Sequence, residues 1–419
     1  MSVVAVVALA MAGQLAANAR PTSRGPGAPV TVGTLGNEPL VAVAPDGTVY
    51  VAALQFLYRS GDHGKTWSQL ELPVFSGVTE YKTDSSIAVD PGGQLYYTFD
   101  YPYAGATAVC TSRSRGESWD CDPVTVPGGT DRMWVAAPTT TEAFLTTNEG
   151  LYQPVLAHTA NRGDTWQMSQ LGGSAFNPYT GQPVARSTGP VLQPVNAGGK
   201  VMMNVYDRTG GGDLITATVD TGLPEANTGP SAAFSGDGAL YVASEAPNDA
   251  RGRGVVVARS VDGGKHWTRL PDIAGASSGT AIFTVIAAGR RGHVGVLYYW
   301  TSTSASPEAM PGKAQWWATY VESYDAHLAH PHWRVRKVEK LKHMGMICRG
   351  LGCELDTSST PPKRTPARYA GDFIGLAFDR ADNAYMSWMG ADRPVDPVLP
   401  IDPSTNYGTI RFAWIAAHT

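Results

Sequence analysis

The sequence predicts an all-β chain, a β-propeller of four-stranded blades. Three observations carry this. Charged residues make up 16 % of the 419 residues, against roughly 25 % in an average globular protein. Turn formers are abundant, with 47 Gly and 30 Pro, while 43 % of the chain is hydrophobic and 11 residues are Trp. Short strands joined by many turns satisfy such a composition better than long solvated helices. The third observation is a repeat, and it sets the architecture.

Four segments share the pattern S/T-x-D/N-x-G-x-T-W, the second with Ser114 and Ser118 and the fourth with His266 at variant positions. They run from Ser60 to Trp67, Ser112 to Trp119, Thr159 to Trp166 and Ser260 to Trp267. The last interval is about twice the others, so a degenerate copy is expected between, and Thr218-Val219-Asp220-Thr221-Gly222 keeps the first half of the pattern. Ser323-Tyr324-Asp325, with Trp333 downstream, is a sixth candidate. In such a box the Asp or Asn caps N–H groups of its own turn, the Gly takes a left-handed conformation, and the Trp buries a large ring. These are structural tasks.

A second repeat interleaves with the first: an apolar strand, a Gly/Asp turn and another apolar strand. The copies span 40–44/48–52, 86–89/94–99, 133–136/143–147, 191–195/200–205, 232–234/239–243, 282–287/293–299 and 373–378/383–388. These seven units supply strands A and B of seven blades, and the boxes fall at the C–D turns. The seventh unit has one further strand, 409–415, and 30–34 is expected to supply its missing edge and close the ring. Six blades are the alternative if one unit is irregular.

Residues 1–19 are expected to be a signal peptide, on the apolar run from Val3 to Ala12 and the Ala17-Asn18-Ala19 cleavage pattern. That run is too short to span a bilayer. Residues 20–29 read as a linker and 30–419 as one propeller domain. Two local disulfides, Cys110–Cys121 and Cys348–Cys353, suit an oxidising, extracellular location. A net charge of −4 without a dense basic run excludes a nucleic-acid or polybasic membrane surface.

At its boxes the chain resembles the sialidase-like, Asp-box (BNR-repeat) β-propellers, over residues Glu38 to about Ala416. That resemblance implies a secreted protein acting on glycans, and it covers enzymes and non-catalytic receptors alike. A sialidase grips its substrate carboxylate with three arginines and attacks with a Tyr paired to a Glu, beside an Asp acid/base. The first of those arginines belongs to a Phe/Tyr-Arg-Ile/Leu-Pro motif, and here the region reads Thr34-Leu35-Gly36-Asn37-Glu38-Pro39. Arg368-Tyr369-Ala370-Gly371-Asp372 is similar to the nucleophile segment with the register off by one residue. The expected activity is therefore glycoside hydrolysis other than standard exo-sialidase action. The alternatives are a non-catalytic glycan- or protein-binding propeller and an exo-α-sialidase.

Topology says where a site would lie. A–B and C–D turns share one face of a propeller; D–A and B–C loops share the other. Acids open the A strands: Glu38, Asp84, Asp131 and Asp372. Converging on the axis, they would perform acid/base work with Tyr369, or hold Ca²⁺, with no other cofactor required. Alternatively, each accepts a backbone N–H of the next blade. Arg132, Arg368, Tyr101, Tyr103, Tyr152, Asp207 and Arg208 are the expected substrate-binding residues, suited to stacking on and hydrogen-bonding a sugar. An insertion at about 340–368 reads as a disulfide-pinned lid. The expected partner is a glycan or glycoconjugate, and the protein a monomer.

Overall fold

A computed structural model describes residues 27–34, 36–54, 56–72, 84–101, 106–125, 130–149, 153–170, 180–208, 215–225, 229–245, 252–273, 278–347, 355–356, 363–364, 372–390 and 408–417. Seven antiparallel sheets, mostly four-stranded, form a seven-bladed propeller. In blade 1, Leu40–Val43, Val49–Ala53, Phe56–Ser60 and Ser68–Leu70 are strands A to D. Strand A lies innermost, and the A strands of neighbouring blades touch around the axis.

The ring closes as the sequence predicts. Val30–Gly33 pairs antiparallel with Ile410–Ile415, so the N-terminal strand becomes the outer edge of blade 7. Both edges of the chain are thereby paired. Between blades the strands bury Val, Ala, Tyr and Trp. Tyr50, Tyr96, Tyr241, Trp316 and Trp388 are all fully buried.

The boxes do what their residues dictate. Ser60 Oγ donates to Asp62 Oδ1 at 2.8 Å and accepts Gly64 N–H at 2.8 Å. Asp62 Oδ1 also takes the N–H groups of Lys65 and Thr66, each at 2.9 Å. Trp67 Nε1 then donates to Gly64 O at 3.0 Å. The box from Ser260 to Trp267 repeats these bonds through Asp262 and Gly264. Ser323-Tyr324-Asp325 is a box as well, with a longer turn: Asp325 Oδ1 accepts His332 N–H at 2.7 Å. Cys110 and Cys121 form a disulfide between strands C and D of blade 2. Cys348 and Cys353 lie outside the described residues.

Blade 4 corrects the predicted alignment. Val191–Ala197, Lys200–Tyr206 and Ile215–Pro224 form its regular sheet. The sequence reading assigned the first two to strands A and B; they are B and C. The inner position is taken by 180–184, which bridges Val191–Ala197 at Thr180↔Val195 and Val184↔Leu192. Gly181 and Pro183 interrupt its ladder, which is why it carries no strand signature. The C–D turn of blade 4 therefore begins at Asp207. Thr218 to Gly222 lies within strand D instead of forming a degenerate box.

The predicted insertion begins later than 340. Strand D of blade 6, Arg334–Met344, contains its first residues. Residues 345–347 are tied to the blade 6 B–C loop, with Ile347 N–H donating to Pro307 O at 3.1 Å. Beyond them only a two-stranded hairpin, Leu355–Asp356 with Lys363–Arg364, is described.

Candidate functional site

The starts of the A strands share a backbone feature that composition does not reveal. In blades 1, 3, 5 and 6 a residue in the left-handed region stands two positions before the regular A–B pairing begins. These residues are Glu38 (φ 52°), Arg132 (φ 52°), Gly229 (φ 109°) and Phe283 (φ 56°). The pairings that follow are Leu40↔Ala52, Trp134↔Thr146, Ser231↔Ala243 and Val285↔Leu297. Glycine fills the position in blade 5, as the conformation favours. Glu, Arg and Phe fill it elsewhere at about 1–2 kcal/mol each. Such residues persist where their surroundings over-determine them, and they cluster at functional sites.

Two of these bends and blade 7 meet at the axis. Glu38, 6 % exposed, accepts the backbone N–H of Asp372 on Oε1 at 3.0 Å. Its own N–H donates to Asn37 Oδ1 at 2.9 Å. Arg132, 5 % exposed, places Nη2 3.5 Å from Asp372 Oδ2 and its guanidinium 4.8 Å from the centroid of the Phe373 ring. Trp134 meets the same ring edge-on at 4.7 Å and donates Nε1–H to Thr180 O at 3.1 Å. Blades 1, 3 and 7 thus bring together one cation and two carboxylates that are far apart in the chain.

A cavity of about 60 Å³ opens beside this group, lined in part by Leu40, Trp134, Gln182, Phe283, Asp372 and Phe373. It would hold a few water molecules and is smaller than a sugar-binding pocket. Of the three charged residues, Asp372 lines it.

The predicted residues are placed as follows. Glu38, Arg132 and Asp372 come together. Asp84 stands immediately before strand A of blade 2, Ser85–Val89. Asp131 lies in strand A of blade 3 opposite Asn148, and Tyr101 ends strand B of blade 2 opposite Ala106; their side chains are outside the described set. Tyr103, Tyr152, Arg368 and Tyr369 are outside the described residues.

Asp207 and Arg208 follow strand C of blade 4, so they belong to the box face and not to the channel mouth. Arg208 Nε and Nη2 grip both oxygens of Glu142, at 3.0 and 2.6 Å, and Nη1 donates to Arg186 O at 2.7 Å. Glu142 closes the A–B turn of blade 3, and Arg162 meets Gln94 at the A–B turn of blade 2 in the same manner. The misplacement follows from the shifted strand assignment in blade 4.

Among the described residues no three of His, Cys, Asp and Glu come together to hold a metal. Trp134, Phe283, Gln182 and Phe373 line the cavity and were not read from the sequence. Gly229, two residues before Ser231, was the one available sign of the shared bend. No helix among the described residues is long and apolar enough to cross a membrane.

No family model and no curated protein matches the chain. Among solved structures it is similar to the endosialidase of phage phi92, at TM-score 0.53 and 10 % identity, over 94 % of this chain and 69 % of that one. It is similar to a polysaccharide lyase, an ulvan lyase, at TM-score 0.53 and 9 % identity, over 94 % and 96 %. An α-L-arabinanase of Penicillium chrysogenum gives TM-score 0.48 at 11 % identity, over 94 % and 99 %. At these identities the likeness is one of fold: the chain is a seven-bladed β-propeller.

Proposed function

We propose that the protein acts on extracellular glycans as a glycoside hydrolase-type enzyme with its reaction centre at the channel mouth. One observation carries this reading. Arg132, Asp372 and Glu38 converge on the axis from three blades, two of them on left-handed backbone. Asp372 is the reacting carboxylate in this reading: it alone of the three lines the cavity, which takes water and not a sugar ring, so the sugar would lie over the cavity's opening. Arg132 holds its Oδ2, and Glu38 holds its backbone, so the carboxylate is oriented before a sugar arrives. The endosialidase and the ulvan lyase that share the fold are polysaccharide-acting by name, which supports the substrate class. The Cys110–Cys121 disulfide is consistent with an extracellular protein. The missing arginine motif before Glu38 sets the reading apart from exo-sialidase action.

The test is release of reducing ends from a panel of aryl glycosides and polysaccharides, a sialoside among them. Asp372→Asn should lower kcat by about 10²-fold or more with the fold intact. Turnover of no substrate, or turnover unchanged in Asp372→Asn, overturns the hydrolase reading. A second reading, a non-catalytic glycan-binding propeller, is favoured by Glu38, whose carboxylate serves a neighbouring blade's N–H. It predicts saturable glycan binding without product.

A further inference from the structure

Blade 6 departs from its neighbours in the length of its outer strand. Arg334–Met344 has 11 residues, whereas the outer strand of blade 5, Thr268–Arg269, has 2. A blade covers the face beside it only as far as its own strands reach. On strand B of blade 6, Val294, Val296 and Tyr298 are fully buried against blade 5. The next residue on that side, Trp300, is only half-buried, near the end of the strand that leads into the B–C loop.

Its cross-strand partner is a second half-buried tryptophan, Trp317. Trp300 Nε1 donates to Ser278 O at 2.8 Å, which fixes the first ring. Strand D then places Lys337 opposite Thr319 and Lys340 opposite Trp317. Lys337 Nζ lies 4.5 Å from the Trp300 ring centroid and 4.9 Å from that of Trp317. Both lysines are exposed, and among the described residues no carboxylate pairs with either.

Two tryptophans paired across a sheet, with Lys337 over both rings, present an apolar rim beside a cation, against which the C–H groups of a pyranose can pack. An ammonium ion positioned beside two indoles stays at the surface, where it can meet an approaching anion. We infer that this platform, on the channel-mouth side of the blade 5–6 seam, binds a polysaccharide of anionic pyranoses, bearing carboxylate or sulfate groups. The inference rests on the glycan reading above and names the charge class of the substrate. A nucleic acid is disfavoured, because its dense phosphates demand a strong positive field and the chain carries a net charge of −4.

Equilibrium binding of polygalacturonate, dextran sulfate, neutral dextran and a single-stranded oligothymidylate tests it, on the full chain and without turnover. The expected result is binding of polygalacturonate or dextran sulfate, weakened about tenfold by Trp317→Ala and by Lys337→Gln, with no binding of neutral dextran. Lys337 is exposed, so its replacement keeps the test open if Trp317→Ala unfolds. Unchanged affinity in folded Lys337→Gln overturns the platform. Equal affinity for neutral dextran overturns the role of the ammonium, and tightest binding of oligothymidylate overturns the glycan assignment. Platform binding without turnover of any glycoside removes only the hydrolase reading; turnover without polyanion binding removes only this one.

Discussion

The Asp boxes and the channel mouth use carboxylates in opposite ways. On the box face, Asp62 and Asp262 each bind the N–H groups of their own turn, within four residues. The backbone N–H and then the hydroxyl of Thr66 hold the Asp62 carboxyl far below the usual carboxylate range. The bonds repeat from blade to blade because each is local. On the mouth face, carboxylates are tied across blades: Glu38 takes the N–H of Asp372, 334 residues away, and the buried Glu245 takes the N–H of Thr284 on the next blade at 3.1 Å. Local bonds build the boxes, and contacts between blades assemble the candidate site.

The sharpest way to break the box face is Gly64→Ala. Gly64 has φ +84°, and a Cβ there would lie 2.0 Å from Cε1 of Phe412 on the strand that closes the ring. Box turn and ring closure are thus packed against each other. The substitution should lower stability by about 3 kcal/mol or more, read by denaturant unfolding. Gly93→Ala is the control. It has a similar φ of +93° with nothing within 4 Å of the added Cβ, so only the backbone term of about 1 kcal/mol remains. Equal losses in the two variants would show that the packing of the box against Phe412 is unimportant.

The mouth face should respond differently. Arg132→Gly suits the left-handed backbone but removes the guanidinium beside Asp372; Arg132→Ala removes the same group and keeps the strain. Both should lose glycan turnover by a comparable factor, about 10²-fold. Arg132→Gly should be the more stable by about 1 kcal/mol. If stability and turnover fell together in both, Arg132 would be a structural residue only.

The same contrast explains what could be read in advance. Box residues are contiguous, so Ser60 to Trp67 declares its fold without help from the rest of the chain. Ring closure was legible too, since 30–34 and 409–415 were the strands left without partners. Blade 4 was misread because Val191–Ala197 and Lys200–Tyr206 flank a Gly198-Gly199 turn like any A–B hairpin, while the true inner segment contains Gly181 and Pro183. That shift carried Arg208 to the wrong face. Glu38, Arg132 and Asp372 were legible only as residues that open the A strands. Their mutual contacts were not legible: they depend on left-handed bends at Glu38 and Arg132, which only glycine advertises, and on blade order around the axis. Trp134 and Phe373 read simply as core.

Arg208, removed from the mouth, yields the smallest and most specific effect. Its guanidinium, by hydrogen bonding and then by charge, lowers the Glu142 carboxyl from its ordinary value of 4.5. A carboxyl lowered on folding contributes stability that is fully present above its unfolded value and lost as pH falls through the folded one. His158, stacked on Phe144 at 4.7 Å, is lowered from 6.5 by burial, against the pull of Glu142. A histidine lowered on folding likewise stabilises above its unfolded value and loses that contribution as pH falls. Thermal stability should therefore decline in two windows, the first below about pH 6.5 and the second below about pH 4.5. Glu142→Gln should flatten the lower window by about 1 kcal/mol, the scale of a partly exposed pair. His158→Phe should flatten the upper one. A melting temperature that tracks pH identically in Glu142→Gln and the parent would show that Arg208 anchors the box face through its bonds to Arg186 O and Gly189 O alone.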